Sequence, residues 1–173
     1  KKAKANQDYW IYSGWNGTLS GRDFVSPEEL KNNPFKKIIT REEKRTRKGI
    51  VVKEVEKVQW LEARHDGSWT HVHTAFGKAK KLLDEWMKKY HDKDCYPPTI
   101  INITDGEFNG ATKEEVLQQA NELKSMFTND GNVILFNIHI SANQGLSLSC
   151  PLSKDELKGS SYATTLFEMS RAI

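Results

Sequence analysis

A chain of 173 residues with 37% hydrophobic and 28% charged side chains, among them five Trp, seven Phe and five Tyr, can bury one core beneath a well-solvated surface. Its formal net charge of +3 is too small to announce nucleic acid by itself, and no apolar run approaches the roughly 18 residues of a membrane span. Two cysteines, Cys95 and Cys150, stand far apart without CxxC or Cys/His zinc spacing and read as free thiols in a reducing cytoplasm.

The opening KKAKANQDYW has no apolar segment behind its lysines, so the chain reads as cytoplasmic if Lys1 lies near the true start. The aromatic run DYWIYSGWNG predicts a strand around Tyr9 to Ser13 closed by a turn. SPEEL offers Ser26 as N-cap, Pro27 at the first helical position and Glu29 three residues past the cap, and NNP stops the helix. Lys36 to Lys48 holds seven basic residues against two acidic ones and leads through Gly49 into IVVKEVEKVQWL, a pattern of a solvated hairpin. Glu42 and Glu43 interrupt the basic run and no aromatic platform is interleaved, so nucleic acid is not the expected partner.

The strongest helical period runs from Val72 to Tyr90, with Val72, Ala75, Phe76, Ala79, Leu83, Trp86 and Tyr90 on one stripe. Thr99 to Thr104 then reads as a parallel strand covered on both faces. Thr112 and Glu115 form a capping box for a helix whose stripe is Val116, Ala120, Leu123 and Phe127. NDGN turns the chain into a second buried strand, Val133 to Ile140, and a last helix from about Ser161 carries Tyr162, Leu166, Phe167 and Met169. Helix and strand alternate, which implies βαβ crossovers and an α/β, doubly wound, mostly parallel sheet in a single domain over 1–173. Ligands of such sheets bind at the carboxyl ends of the strands, where Asp105 stands. The plainer reading is that Asp105-Gly106 is a strand-ending turn.

TIINITDGEFNG, an apolar strand ending in Thr-Asp-Gly, resembles the third metal-site motif of von Willebrand factor type A domains. GSWTHVHTAFGKAKKLLDEW resembles that family's second motif, where a loop Thr precedes Ala and a large apolar residue by five and six positions. Counted from Thr70 these are Ala75 and Phe76, which favours Thr70 over Thr74. The segments LSGRDFVSPEELKNNP, YPPTIINITDGE and YATTLFEMS are similar to a bacterial subfamily. The resemblance implies a Rossmann-like fold and a metal ion-dependent adhesion site in which Thr70 and Asp105 hold Mg²⁺, with Mn²⁺ or Ca²⁺ as substitutes. Trp69, His71, Gly106 and Glu107 would line the rim that meets a partner protein's Asp or Glu. Magnesium takes near-octahedral oxygen coordination, so few carboxylates leave it open to an incoming anion. The implied role is protein interaction rather than catalysis, in bacterial stress, signalling or phage-defence systems.

Three departures stand out. The first motif, Asp-x-Ser-x-Ser on a central strand, is absent; DGSWT, Asp66 to Thr70, has the spacing but overlaps the second motif. His71 replaces the proline common after the loop Thr, and residues 21–64 form an insertion with a short helix and a basic hairpin. An open sheet without its middle strand leaves backbone groups unsatisfied, so the expectation is that an N-terminal central strand is missing from this chain. Two alternatives remain: nucleic-acid binding through the basic 36–48 segment, and metal-dependent hydrolysis at His65, His71 and His73. No HExxH, GxSxG or GxGxxG supports an enzyme.

Overall fold

A computed structural model describes residues 11–63, 70–141, 148–157 and 159–170. The chain divides into two units, Lys1–Gly67 and Ser68–Ile173, a boundary just past the expected 21–64 insertion.

In the first unit a single 3-10 turn, Gly17–Leu19, buries Leu19. Helix α1, Pro27–Asn32, starts as its sequence dictates: Ser26 Oγ accepts from Glu29 N–H while the Glu29 carboxylate accepts from Ser26 N–H. Strands β1, Lys36–Thr46, and β2, Gly49–Gln59, pair antiparallel over their whole length. Only Thr40, Val55 and Gln59 escape full exposure on this ribbon. Its base is tied down by polar bonds. Phe35 N–H donates to Gln59 C=O and Asn16 N–H to Trp60 C=O, and Trp60 Nε1–H reaches Leu30 C=O at 2.6 Å. The strand expected around Tyr9 to Ser13 does not form over its described residues, 11–13; Trp15 instead makes an isolated bridge to Leu61.

The second unit contains α2 (Val72–Lys89), β3 (Thr99–Thr104), α3 (Lys113–Ser125), the two-residue strands β4 (Phe127–Thr128) and β5 (Gly131–Asn132), β6 (Ile134–His139) and α4 (Ser161–Met169). β3 and β6 pair in parallel, Thr99 opposite Ile134 through Thr104 opposite His139, with α3 in the connection. The unit is therefore mixed α/β around one parallel pair. Its core joins Val72 and Phe76 of α2, Val116, Ala120 and Leu123 of α3, Leu135 of β6, and Leu166 and Met169 of α4. Ion pairs fasten the helices outside that core. Lys80 of α2 meets Glu122 of α3 at 2.7 Å, and Glu168 of α4 takes both Lys113 and Lys154. The lysines hold the Glu122 and Glu168 carboxyls below the usual range.

Three sequence expectations change here. Among the described residues the strands are covered on one face only: Ile100 and Leu135 point to the helices, whereas Ile101, Ile103, Phe136 and Ile138 are exposed. An unbroken apolar run cannot distinguish a strand sandwiched between layers from one with a bare apolar face. Phe127 also leaves the helical stripe. α3 stops at Ser125, Met126 is extended, and Phe127 enters β4 at 70% exposure. Ala75 likewise lies outside the buried stripe of α2.

A polar ladder crosses the parallel pair and fixes α4 to it. Asn102 Nδ2 donates to Asn137 Oδ1 at 2.8 Å, and Asn137 Nδ2 donates to Leu166 C=O and Ser170 Oγ at 3.0 Å each. The Asn137 amide is thus bonded at both its oxygen and its nitrogen, and Asn102 Nδ2 has its acceptor, where burial would otherwise penalise them. No helix among the described residues is long and apolar enough to cross a membrane.

Candidate functional site

The carboxyl ends of β3 and β6 meet in a small cluster of loops. Thr104, the last residue of β3, is buried, and its hydroxyl accepts the Gly106 N–H at 3.1 Å. Asp105 Oδ1 accepts the Glu107 N–H at 3.1 Å, so the Asp-Gly pair turns the chain by side-chain-to-backbone bonds, as the plainer sequence reading expects. Gly106 has φ +85°, and a Cβ there would lie 2.7 Å from Cβ of Tyr162. That position requires glycine twice over, for its backbone angle and for the passage of α4.

The exposed Asp105 carboxylate leaves Oδ2 without a hydrogen bond from any described residue. Beside it, His139 ends β6, and its Nε2 lies 3.0 Å from the Asp105 carbonyl. A carbonyl can only accept, so this nitrogen carries the proton. His139 is a member of the site that the sequence reading missed. The signal lay in register alone: His139 is the parallel partner of Thr104.

Thr70 arrives from the chain segment before α2. Its carbonyl accepts the Asn109 N–H at 2.8 Å, which binds the Thr-containing segment to the Thr-Asp-Gly loop. Gly110, φ +80°, lets that loop pass the imidazoles of His71 and His73; an added Cβ would sit 2.8 Å from His71 Nδ1. The two rings stand edge to face with centroids 5.6 Å apart, and Nδ1 of His73 is buried without a hydrogen-bond partner among the described residues. Contacts thus run from Asn109 to Thr70 and from Gly110 to His71 and His73, a few residues past Asp105, Gly106 and Glu107 in the chain. Trp69, His65 and Asp66 lie outside the described residues.

The donor set decides what ion could sit here. Thr70 and Asp105 are hard oxygen donors, which suits Mg²⁺ in kind, while one hydroxyl and one carboxylate leave most of an octahedral shell to water and to an incoming anion. Among the described residues, no three His, Cys, Asp or Glu side chains gather closely enough to hold a metal by themselves. A separate cleft of about 370 Å³ is lined in part by Trp86, Tyr90, Cys95 and Phe127. Cys95 and Cys150 are both free thiols.

Comparison with family models, curated proteins and solved structures returns no significant match.

Proposed function

We propose that the chain is a protein-interaction module of von Willebrand factor A type, whose carboxyl-edge loops receive an Asp or Glu of a partner protein. The observation that carries this reading is the Asn109-to-Thr70 hydrogen bond at 2.8 Å. It joins the two segments whose motifs resemble that family, at the strand ends where open α/β sheets bind ligands. In this reading the fold is doubly wound, and the exposed apolar face formed by Ile101, Ile103, Phe136 and Ile138 is where a second layer belongs.

Thr70 and Asp105 would hold Mg²⁺, and the ion would supply a positive centre for the partner's carboxylate. The chain's own contribution is positional. The Thr104 hydroxyl and Glu107 amide fix the Asp105 turn, His139 pins the Asp105 carbonyl, and Gly110 lets the Asn109 amide reach Thr70. His71, Gly106, Glu107 and, in the adjoining segment, Trp69 would frame the approach. Such a site binds and does not turn over.

Calorimetric titration of the whole chain with Mg²⁺ and Mn²⁺ tests the reading. Saturable binding that Asp105→Ala abolishes and Thr70→Ala weakens is the expected result. Binding unchanged by Asp105→Ala would overturn the placement of the ion.

A further inference from the structure

The basic segment 36–48 takes no part in the site above, and its folded geometry redistributes its charge. Directly opposed residues of an antiparallel pair share a face, and successive residues alternate. At the base and middle of the β1–β2 ribbon the charges cancel across the strands. Lys37 pairs with Glu56 at 3.0 Å and Arg41 with Glu54 at 3.4 Å on one face, Glu42 with Lys57 at 2.8 Å on the other, and Lys36 with Glu62 at 2.6 Å below. Glu42, which interrupts the basic run in sequence, is thereby occupied, and Lys57 holds its carboxyl below the usual range.

Beyond Glu42 the balance is different. Lys44, Arg45, Arg47 and Lys48 face a single carboxylate, Glu43, and none of these four cations makes an ion pair with a described residue. Lys44 shares a face with Val51, Arg45 shares the opposite face with Ile50, and Arg47 and Lys48 occupy the turn. The turn is shaped by its own bonds: Thr46 Oγ1–H donates to Gly49 C=O at 2.9 Å and accepts from Lys48 N–H at 3.3 Å. Ile50, Val51 and Val52 stand 58%, 52% and 55% exposed among the cations.

Edge lysines that merely discourage strand pairing would need no such gradient along the ribbon. Positive charge on both faces and at the end matches a cleft with negative charge on both walls. A flat anionic membrane would engage one face and leave the other cation in water. The B-form major groove is about 12 Å wide, is walled by phosphates and admits a two-stranded ribbon, whereas the A-form major groove is too narrow. We propose that the tip of the β1–β2 hairpin is a DNA-binding ribbon that enters the major groove of a duplex, with Lys44, Arg45, Arg47 and Lys48 on the phosphates. Ile50, Val51 and Val52 offer apolar contact to thymine methyls and no hydrogen bonds, so affinity rests on phosphates and depends little on sequence.

The test is fluorescence anisotropy of a short labelled DNA duplex titrated with the whole chain over a series of salt concentrations. Four phosphate contacts predict a slope of log K against log salt of about −3.6. The double variant Arg47→Gln/Lys48→Gln should flatten that slope by about 2 and weaken binding at low salt. Lys37→Gln/Arg41→Gln, at cations already paired, should bind within about twofold of wild type. Amide NMR shifts of β1 and β2 verify that each variant keeps its hairpin. Tip and base variants equally weakened, no duplex binding at low salt, or binding to phosphatidylserine vesicles without binding to DNA would each overturn the proposal.

Discussion

The two units of this chain are specified by different physics. Over Ser68–Ile173 eight buried side chains from three helices and a strand form one core, and ion pairs sit outside it. Over Lys1–Gly67 Leu19 is the one buried hydrophobic residue among those described, and shape comes from a capping box, a ladder of strand hydrogen bonds and cross-strand ion pairs. Apolar burial contributes on the order of 25 cal/mol per Å², whereas exposed ion pairs contribute about 0–1 kcal/mol each. The difference teaches that regular secondary structure is not a measure of stability. The longest strands of the molecule belong to the unit with the smaller core, and an isolated two-stranded hairpin is marginal in water.

Matched truncations sharpen that contrast most. Leu123→Ala, at 1% exposure in α3, should cost about 2–5 kcal/mol in denaturant unfolding of the second unit. Ile39→Ala, at 67% exposure in β1, should stay within about 0.5 kcal/mol. Equal costs would break the comparison. Glycines give the next largest difference. Gly106→Ala combines a φ of +85° with a collision 2.7 Å from Tyr162 and should cost about 1–3 kcal/mol. Gly21→Ala has a similar φ of +79° but open space around it, so its thermal shift should be the smaller of the two.

A more local effect is confined to α1. Ser26→Ala should remove about 1 kcal/mol of local helix stability, read as faster amide exchange at Glu29. Its pH dependence follows from Glu29, whose carboxyl the Arg22 side chain, then the Ser26 amide and hydroxyl, hold down from 4.5 to about 2. A lowered folded pKa means that the unfolded chain binds more protons in this range. The contribution is therefore full above pH 4.5 and lost as pH falls through about 2. Carboxyl ¹³C NMR of Glu29 should titrate near 2, and a midpoint in the ordinary carboxylate range would contradict the Arg22 contact.

What the sequence made legible was local. Ser26 with Glu29 and Thr112 with Glu115 announce capping boxes that the structure contains, and the Val72 period and the Gly49 turn place α2 and the hairpin. What it hid depends on neighbours distant in the chain. Asn102 is an isolated polar residue in an apolar run until Asn137 comes opposite it. His139 joins the Asp105 turn only through the parallel register, and Glu42 blocks the basic run only until Lys57 pairs with it. Period counting is also blind to the second face of a strand, since Ile101 and Ile103 read alike whether another layer covers them or not.

That bare face sets the colloidal behaviour of the isolated chain. Ile101, Ile103, Phe136 and Ile138 form an oily strip on a strand pair that no third strand extends among the described residues, a combination that favours edge-to-edge association as concentration rises. Ile103→Lys would raise the concentration at which light scattering begins while leaving the helical face of the sheet intact.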